Sequence, residues 1–589
     1  MRCKDIILSY FKKHGFRYAV GIVLVIVATV FNAVLPQLLG KAIDLVKAAR
    51  EPGQSALLTE VRNVCLAMCG CAVGAFITRN IWRYLIMGFT RSIELHLRHA
   101  LFTHLQELSS EFYVKNNTGD IITRAIIDTQ AIRQMFGIGL IGIVDVLTIN
   151  LVTLGYMVST TSIQLTLIAV IPLPFLLFAL VKLRTVMRRK FTIVQHTVSD
   201  IAAKVQENIT GIRVIKAFAQ ENSENRLFEK LSRSKWKAEM DMVRVWSFIN
   251  PLSSFVFGAI FAVFLYFGGR MVIEGSLSLG EFVAFNTYIA FLMEPISRIS
   301  RIIQIWQRGI VSIQRMDMIF SAKPAIDDRN ADGSVTSLAP LTVDVTDLTF
   351  RYPGTDKDVL KNITFHLETG GVLAVMGATG AGKSTLMSLL MRMWNPPDGT
   401  ISISNHPIET VPLRVLRGAI AYVPQETFLF SDSIMNNIIF YDERITEDDA
   451  VEAAKIAAIH DNISEFAKQY DTTVGERGMT LSGGQKQRVS IARALARKPD
   501  LLLLDDCLSA VDAETEHVIL DNLRAYLKGC TTIIVTHRIA VAGIADRVLL
   551  LNEDGSMAAL GTHQELCATS PEYQNLLAIL EAANEGREG

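Results

Sequence analysis

The sequence lacks an excess of charge of either sign, because 58 Lys and Arg residues balance 58 Asp and Glu residues. Binding to nucleic acid through surface charge needs a basic field, so this balance argues against nucleic acid as a partner. Cysteine is scarce: the seven residues include no C-x-x-C pair, which argues against a zinc site of that spacing and against a disulfide framework. We interpret the cysteines as small buried residues in a reducing compartment.

Long apolar runs are what the sequence has in abundance. Half of the residues are hydrophobic and the mean hydropathy is +0.31, which is typical of a chain partly solvated by lipid. The first run, Tyr18–Leu39, is longer than the apolar core of a signal peptide and has no small-residue cleavage site of the A-x-A kind after it. We therefore expect it to be retained as a membrane span.

Six runs have the composition of membrane-spanning helices. They are Tyr18–Leu39, about Arg62–Met87, Met135–Val158, Ile163–Val181, Trp246–Gly268 and about Leu279–Ile296. Arg79 and Arg83 interrupt the second run, and the sixth is short and polar for a span. An even number of spans returns the chain to the side of the membrane on which it began.

The segments between the spans predict the orientation of the chain. The N-terminal segment and the connections 88–134 and 182–245 are rich in Lys and Arg, which the positive-inside preference places in the cytoplasm. We predict a multi-pass protein of the cell (inner) membrane, with a cytoplasmic N-terminus and with both connections helical. Residues 4–13 have an amphipathic pattern, which fits either a helix at the membrane surface or an ordinary amphipathic helix.

After about residue 325 the composition is that of a globular α/β domain. Short runs rich in Leu or β-branched residues alternate with helical patterns, and these runs are TVDVTDLTF, GVLAVMG, GAIAYVP, DLLLLDD, TTIIVTH and DRVLLL. Strands that alternate with helices predict a mostly parallel sheet, with ligands bound beyond the carboxyl ends of its strands. The predicted architecture is an all-α transmembrane domain of six helices, residues 1–325, followed by an α/β domain.

A phosphate-binding loop follows the predicted strand VLAVM. The segment GATGAGKST fits the pattern G-x-x-x-x-G-K-[ST] and precedes a helical run. Its residues are Gly377, Ala378, Thr379, Gly380, Ala381, Gly382, Lys383, Ser384 and Thr385. Glycines let backbone amides converge on phosphate oxygens, Lys383 reaches the β- and γ-phosphates, and Ser384 ligates Mg²⁺. The second domain is therefore predicted to be an α/β P-loop nucleotide-binding domain with ATP and Mg²⁺ as cofactors.

Two further segments point to the same chemistry. Asp505 ends the strand LLLL next to the predicted loop, where a carboxylate can hold Mg²⁺ through its water shell. LSGGQ opens a helix, which is a second anion-binding end, with Ser482, Gly483, Gly484 and Gln485 at its start. One nucleotide does not need two such ends, which suggests that the second end serves an ATP held by another subunit.

In their order along the chain, these motifs resemble the ATP-binding cassette of ABC transporters. The resemblance rests on GATGAGKST, Gln425 in YVPQE, LSGGQKQR, LLLLDD, SAVD and His537 in VTHR, and it covers about residues 341–580. Six spans ahead of one cassette are similar to an exporter-type half-transporter. Thr118–Ile132 and Gln206–Glu221 are similar to the cytoplasmic loops through which exporters contact their cassettes.

The resemblance implies a role for each matching residue. Tyr352 would stack on adenine, Gln425 would sense Mg²⁺ and the attacking water, and His537 would hydrogen-bond the γ-phosphate. Asp512 would lie at the seam between two cassettes. The stretch VGERG, Val474–Gly478, is similar to one that touches the transmembrane loops in exporters.

The family usually has Glu after the Mg²⁺-binding Asp, where it polarises the attacking water, and this chain has Asp506. Loss of one methylene retracts the carboxylate by about one ångström or more, and mispositioning on that scale costs about a hundredfold in rate. We predict that Asp506 is a poor catalytic base unless loop geometry or a bridging water compensates. LLLLDDCLSAVD is also similar to the degenerate-site subunit of bacterial heterodimeric multidrug exporters, which implies a second half-transporter as partner.

The sequence says less about the substrate. Ionisable residues within spans are candidates for substrate contact, and we select Asp145 in the third span for a cationic group, with Glu294 near the end of the sixth as a further candidate. Many Phe, Met and Leu residues in the spans favour hydrophobic or amphipathic small molecules as substrates and contact with membrane lipid.

We therefore expect a subunit of an ATP-driven exporter that moves amphipathic drugs or lipid-like compounds out of the cytoplasm or the inner leaflet. A lipid flippase and an exporter-fold siderophore importer are alternatives within transport. A nucleotide-gated channel or membrane regulator is the alternative of another class.

Overall fold

A computed structural model of the chain describes residues 2–48, 55–160, 163–475, 481–527 and 529–588. The chain forms two compact units, one of Met1–Gln106 with Thr118–Ser321 and the other of Glu107–Asn117 with Ala322–Gly589. The described part of the first unit is helical. The second unit contains the β-strands of the described chain together with shorter helices.

The first unit is built from long helices joined by short breaks. In chain order they are Cys3–Ala48, Ser55–Glu107, Thr118–Thr123, Thr129–Gln134, Leu140–Thr160, Ile163–Val170, Pro172–Thr210, Ile212–Ala217, Glu221–Ile273 and Leu279–Ser321, with π-helical turns at Arg124–Asp128 and Met135–Gly139. Most residues of the connections 88–134 and 182–245 lie in these helices, as predicted.

Four helices in the described ranges are long and apolar enough to cross a membrane. They are Cys3–Ala48, Leu57–Glu107, Thr118–Ser159 and Ser254–Ile273, which correspond to the first, second, third and fifth predicted spans, and Leu279–Met293 in the sixth is a shorter apolar helix. The fourth predicted span, Ile163–Val181, falls on two helices, Ile163–Val170 and Pro172–Thr210. That span stays a prediction.

The amphipathic pattern at residues 4–13 does not form a separate surface helix. Cys3–Ala48 is one continuous helix, in which Ile6 and Ile7 are buried. The Cys3 amide donates a hydrogen bond to Asp317 Oδ1 at 2.6 Å. Protein therefore covers the apolar face of this segment, which makes it the ordinary amphipathic helix of the two alternatives.

The second unit contains two sheets. The strands are β1 (Val343–Arg351), β2 (Asp358–Leu367), β3 (Val372–Gly377), β4 (Ile401–Ile403), β5 (His406–Pro407), β6 (Ile420–Val423), β7 (Leu501–Asp505), β8 (Thr531–Val535), β9 (Arg547–Leu551) and β10 (Met557–Gly561). The smaller sheet has the order β2-β1-β4-β5 and is antiparallel. The larger has the order β10-β9-β3-β8-β7-β6 and is parallel except for the pair of β10 with β9.

The burial patterns of the strands explain why the two sheets differ. All residues of β3, β7 and β8 are buried, because helices cover both faces of a parallel sheet. TVDVTDLTF is a strand as predicted, but as β1 it alternates between buried and more exposed residues and pairs in the antiparallel sheet. The other five predicted strands lie in the predicted, mostly parallel sheet.

The α-helices in the described part of the second unit are Ser110–Lys115, Lys383–Leu390, Leu413–Ala419, Ile434–Ile439, Glu447–Ile456, His460–Ser464, Gly483–Ala496, Ala513–Leu527, Ile539–Ile544, His563–Thr569 and Pro571–Glu588. Two of them, Lys383–Leu390 and Gly483–Ala496, pack on opposite faces of the larger sheet. Leu501 and Leu503 of β7 share an apolar cluster with Leu386, while Leu502 and Leu504 share another with Val489. The neighbouring parallel strands β3, β8 and β7 thus end at one edge of the sheet, where the candidate site lies.

Candidate nucleotide site

The predicted phosphate loop leaves the carboxyl end of β3 and opens the helix Lys383–Leu390. Gly382 has a φ angle of +92°, which residues with a Cβ rarely adopt. A Cβ on Gly382 would lie 2.8 Å from the Val359 carbonyl oxygen, and a Cβ on Gly377 would lie 2.6 Å from the Leu551 carbonyl oxygen. The curl of the loop therefore requires glycine at both positions.

The Lys383 side chain folds over this loop. Its Nζ donates hydrogen bonds to the carbonyl oxygens of Gly377 and Ala378, each at 2.8 Å. Burial lowers the pKa of Lys383, and the negative charges of Asp505 and Asp506 oppose that shift. The ammonium is thus held at the loop and within electrostatic reach of both carboxylates, in the place where the motif predicts contact with phosphate. Ser384 follows it with an exposed side chain.

Tyr352 packs beside the loop helix. Its hydroxyl lies 3.0 Å from Thr385 Oγ1, and its ring meets the Trp394 ring edge-on with a centroid distance of 5.0 Å. These contacts fix the ring that the resemblance assigns to adenine. Trp394 was not predicted from the sequence, although it is an aromatic residue shortly after the loop helix, in MRMWNPPDG.

Asp505 is the last residue of β7 and is only 2% exposed. Its Oδ2 accepts a hydrogen bond from the Tyr422 hydroxyl at 3.3 Å, and Tyr422 lies on the neighbouring strand β6. Burial raises the pKa of Tyr422, and Asp505 adds to the shift, so the phenol stays protonated and can donate at neutral pH. Tyr422 was not predicted from the sequence, although it lies three residues before Gln425 in YVPQE.

Asp506 adopts a left-handed backbone conformation with a φ of +44°. Its amide donates to the Val535 carbonyl oxygen at 3.0 Å, and its Oδ2 accepts a hydrogen bond from Gln425 Nε2 at 3.3 Å. Burial raises the pKa of Asp506, whereas His537 and Arg538 oppose the increase. The structure therefore brings Asp506, Gln425 and His537 together.

His537 follows the carboxyl end of β8. Burial lowers the pKa of His537, Lys383 acts in the same direction and Asp506 in the opposite one. The next residue, Arg538, pairs with the buried Glu516 and donates to the Leu508 carbonyl oxygen at 2.9 Å. These contacts, which were not predicted from the sequence, anchor the segment that carries His537.

LSGGQ forms the N-terminus of the helix Gly483–Ala496. Ser482 and Gln485 make a reciprocal capping box: Ser482 Oγ accepts from the Gln485 amide at 3.3 Å and Gln485 Oε1 from the Ser482 amide at 3.0 Å. Ser482 and Gly483 are exposed. A Cβ on Gly484 would lie 2.8 Å from the Ala510 carbonyl oxygen, so this helix start lies directly against the SAVD segment.

A buried glutamine, Gln487, joins the two segments, and it was not predicted from the sequence. Gln487 Nε2 donates to Ser509 Oγ at 3.1 Å, and Gln487 Oε1 accepts from the Ala510 amide at 3.0 Å.

Asp512 Oδ1 accepts from the Thr515 amide at 2.9 Å, and this bond lowers the pKa of Asp512. Of the stretch Val474–Gly478, Val474 is buried, and residues 476–478 lie outside the described residues.

The transmembrane candidate Asp145 lies in the helix Leu140–Thr160. Its Oδ1 accepts a hydrogen bond from Thr29 Oγ1 at 2.9 Å, and its Oδ2 lies 3.1 Å from Arg298 Nη1 in an ion pair. Asp145, Arg298 and Arg79 line a cavity of about 470 Å³ in the first unit. Arg298 therefore balances the charge of Asp145. Glu294 lies in the helix Leu279–Ser321, and its side chain is outside the described part.

Comparison with known proteins identifies the family. The family model described as ABC transporter transmembrane region matches residues 18–296, and the model described as ABC transporter matches residues 360–509. The chain is 34% identical to the probable multidrug resistance ABC transporter ATP-binding/permease protein YheI of Bacillus subtilis, over 96% of this chain and 95% of that protein. The chain belongs to the ABC transporter family.

Two further likenesses bear on the architecture of this ABC transporter. It is 30% identical to the ATP-dependent lipid A-core flippase of Syntrophus aciditrophicus, over 97% of this chain and 93% of that protein. A solved structure of a bacterial Atm1-family ABC exporter with ATP bound matches it with a TM-score of 0.76 and 27% identity, over 95% of this chain and 98% of that chain. The predicted fold class, a transmembrane domain followed by an ABC ATPase domain, is confirmed. The ATPase domain of an ABC transporter hydrolyses ATP to drive transport.

Proposed function

We propose that this chain is one subunit of a heterodimeric ABC exporter, in which its own ATP site is slow and its signature segment, LSGGQ at Leu481–Gln485, completes a fast site of the partner. The observation that supports the proposal is Asp506, which follows the Mg²⁺-binding carboxylate where the family usually has Glu. Two copies of this chain would carry the same defect at both sites. A partner half-transporter with Glu at the matching position would supply the missing base.

The geometry around Asp506 supports a slow site. The shorter side chain of Asp506 is already engaged by Gln425, since Nε2 and Oδ2 are 3.3 Å apart. The acceptor atom of a general base needs to be about 2.6–3.2 Å from the heavy atom whose proton it takes. Asp506 has to reach an attacking water with one carbon fewer than glutamate, while one of its carboxylate oxygens is bonded to Gln425.

The signature segment supports the second half of the proposal. Ser482 and Gly483 are exposed at the N-terminus of a 14-residue helix, and such an end favours negative charge. The capping box and Gln487 hold this end in place from within the chain. An exposed, preformed anion-binding end is what a partner's bound ATP would require.

The donor set in this site fits ATP with Mg²⁺. Lys383 lies over the glycine loop, whose curl leaves no room for Cβ atoms at Gly377 and Gly382. Ser384 and the buried Asp505 offer oxygen ligands, which suit Mg²⁺, and Gln425 adds a third. Mg²⁺ usually keeps several waters and takes substrate phosphates as ligands, so few protein ligands are needed. When bound, it would neutralise charge on the phosphates.

The transmembrane part is proposed to span residues 1–325 and the cassette 341–580. We place the chain in the cell (inner) membrane, with the N-terminus and the cassette in the cytoplasm. The cavity beside Asp145 is the proposed contact site for hydrophobic or amphipathic substrates, because apolar Leu35, Met68 and Phe291 line it together with charged groups. Glu294 remains a second candidate for substrate contact.

The assembly is tested by measuring ATP hydrolysis in the purified single chain and in the purified pair, in the same lipid. The pair is expected to hydrolyse ATP at least about tenfold faster than the single chain, because only the pair has a site with a well-placed base. Full, transport-coupled turnover by the single chain would overturn the heterodimer proposal. ATP-dependent uptake of a dye into inside-out vesicles, rather than passive ion flux, separates an exporter from a nucleotide-gated channel.

Lipid flipping is the second candidate function. A relative that matches nearly the whole chain is named as a lipid A-core flippase. The cavity lining adds Arg79 to the ion pair of Asp145 and Arg298, and this surplus positive charge beside apolar residues suits a lipid with an anionic headgroup. Vesicles with a labelled lipid in one leaflet distinguish the two candidates. ATP-dependent loss of that asymmetry would favour the flippase, and transport of a water-soluble drug alone would favour the exporter.

A further inference from the structure

A second cavity of the first unit lies between its first two helices. It has a volume of about 630 Å³. Tyr10, His14 and Arg17 of the helix Cys3–Ala48 line one side, and Arg83, Tyr84 and Arg91 of the helix Ser55–Glu107 line the other. Neither the nucleotide site nor the cavity beside Asp145 uses these residues.

The charge of this cavity is its first notable property. Among the described residues, its lining contains three arginines and no Asp or Glu. Within the described ranges, none of the three arginines forms an ion pair, and Arg83 lies 5.7 Å from the ring centroid of its neighbour Trp82. Guanidinium groups donate in a fork that matches phosphate oxygens, so three of them around one cavity favour an anion of that kind.

The position of the cavity along the helices is its second property. Arg17 directly precedes the first predicted span, Tyr18–Leu39, and Arg91 follows the end of the second at Met87. Both arginines therefore lie where the chain leaves the apolar layer, on the side that the positive-inside preference places in the cytoplasm. Lipid phosphates lie at this depth, and basic pockets between helices on this side bind lipid headgroups.

The walls of the cavity are held by aromatic packing. The ring of Phe89 lies 5.4 Å from that of Tyr10 and 5.0 Å from that of Phe11. It lies 4.7 Å from the ring of Tyr18. Because Phe89 is buried on the second helix, these contacts fix the spacing between the two helices. The arginines thus project from a preformed frame rather than from a loop.

Exposed apolar side chains beside the arginines favour a lipid over a soluble phosphate ester. Phe16, next to Arg17, is 83% exposed, and Tyr84, next to Arg83, is also 83% exposed. Aromatic residues are enriched at the membrane interface, where one side of the ring faces lipid chains. We propose that this cavity binds the phosphate of an anionic glycerophospholipid from the cytoplasmic leaflet, with the acyl chains along Phe16 and the first span.

Binding of single lipids to the full-length chain tests the proposal independently of ATP hydrolysis. Native mass spectrometry of the detergent-solubilised chain gives the affinity for dioleoyl phosphatidylglycerol and, as a neutral comparison, dioleoyl phosphatidylcholine. The variant R17Q/R83Q/R91Q is expected to bind phosphatidylglycerol at least about tenfold more weakly, with binding of phosphatidylcholine unchanged. Equal affinity of the unchanged chain for the two lipids would overturn the proposal.

A matched control separates a site from general attraction. The variant K4Q/K12Q/K13Q also removes three positive charges from the cytoplasmic end of the first helix, at exposed lysines that do not line the cavity. It is expected to weaken binding by less than about twofold. A loss as large as that of the arginine variant would show diffuse attraction and sink the proposal, as would displacement of the lipid by glycerol 3-phosphate.

Two further variants guard against loss of fold. R17K/R83K/R91K keeps the charges and is expected to retain most of the affinity for phosphatidylglycerol. R91Q removes one group and is expected to weaken binding by about fivefold. Thermal unfolding of each variant checks its integrity, and unchanged affinity in a folded R91Q and a folded triple Gln variant would overturn the proposal.

Discussion

Gln425 and Asp506 are bonded to one another, with the Gln425 amide nitrogen 3.3 Å from a carboxylate oxygen of Asp506. They come from segments 81 residues apart in the sequence, and both are expected to act on the water that attacks the γ-phosphate. In the structure one hydrogen bond joins their polar groups. This bond supports the proposal that ATP bound at this site is hydrolysed slowly.

The substitution Asp506→Glu is expected to raise the hydrolysis rate of this site. One additional methylene carries the carboxylate about one ångström or more toward the water, and correct placement on that scale is worth about a hundredfold. The rate is measured in the pair after the partner's catalytic glutamate has been changed to glutamine, so that only this site turns over. Asp506→Asn is the matched control and should not gain activity; a rate unchanged in Asp506→Glu would show that reach does not limit the site.

As the pH is lowered, the remaining ATP hydrolysis at this site is expected to decrease. The midpoint of the decrease should lie at a higher pH than it would for a site whose base is an exposed aspartate. Burial raises the pKa of Asp506 above its ordinary value of 3.8, and a base works only when ionised. Activity is therefore full above the raised pKa and falls as the pH drops through it. A pH profile of the same pair measures the midpoint.

His537 provides a test of that explanation. It lowers the pKa of Asp506, against the effect of burial, so His537→Gln is expected to move the acid midpoint further up while reducing the rate. The control is His563→Gln, a histidine whose ring contacts Tyr573 and does not act on Asp506. A midpoint that moves down in His537→Gln would contradict the assignment.

Two adjacent glycines of the signature segment are expected to respond differently to alanine. A Cβ on Gly484 would lie 2.8 Å from the Ala510 carbonyl oxygen, whereas a Cβ on Gly483 would meet the Ala510 Cβ at an ordinary 3.6 Å. Overpacking against a fixed backbone costs about 1–3 kcal/mol. Gly484→Ala should therefore lower the apparent Tm of the full chain and Gly483→Ala should not; equal melting of the two variants would contradict this reading of the contact.

The nucleotide site was largely predictable because its motifs carry their own structural constraints. A glycine loop between a strand and a helix has to curl. The position of Lys383 at the loop therefore followed from the glycines before it and the helix after it. The hydrogen bonds of Tyr422 with Asp505 and of Gln487 with Ala510 were not predictable, because each depends on the packing of residues far apart in the sequence. The short strands β4 and β5, of three and two residues, are too brief to show a period.

The transmembrane candidate shows the same limit. Asp145 was predictable as an ionisable residue in a span, but its partner Arg298 lies 153 residues away. Hydrophobic patterns identify spans without saying which face of one helix meets which face of another. The ion pair therefore changes what Asp145 can do: a cationic substrate has to replace Arg298 rather than meet an unpaired carboxylate.

If a cationic substrate takes the place of Arg298 beside Asp145, substitutions of the two residues should have opposite effects on transport. Asp145→Asn removes the carboxylate and is expected to raise the KM for a cationic drug by at least about tenfold. Arg298→Gln removes the competing cation and is expected to lower the same KM, because Asp145 then lacks this partner. Transport of a neutral drug of similar size is the control and should change little in either variant. Since the carboxylate lies 3.1 Å from Arg298 in the cavity lining, equal losses for cationic and neutral drugs would mean that the pair supports the cavity without contacting substrate.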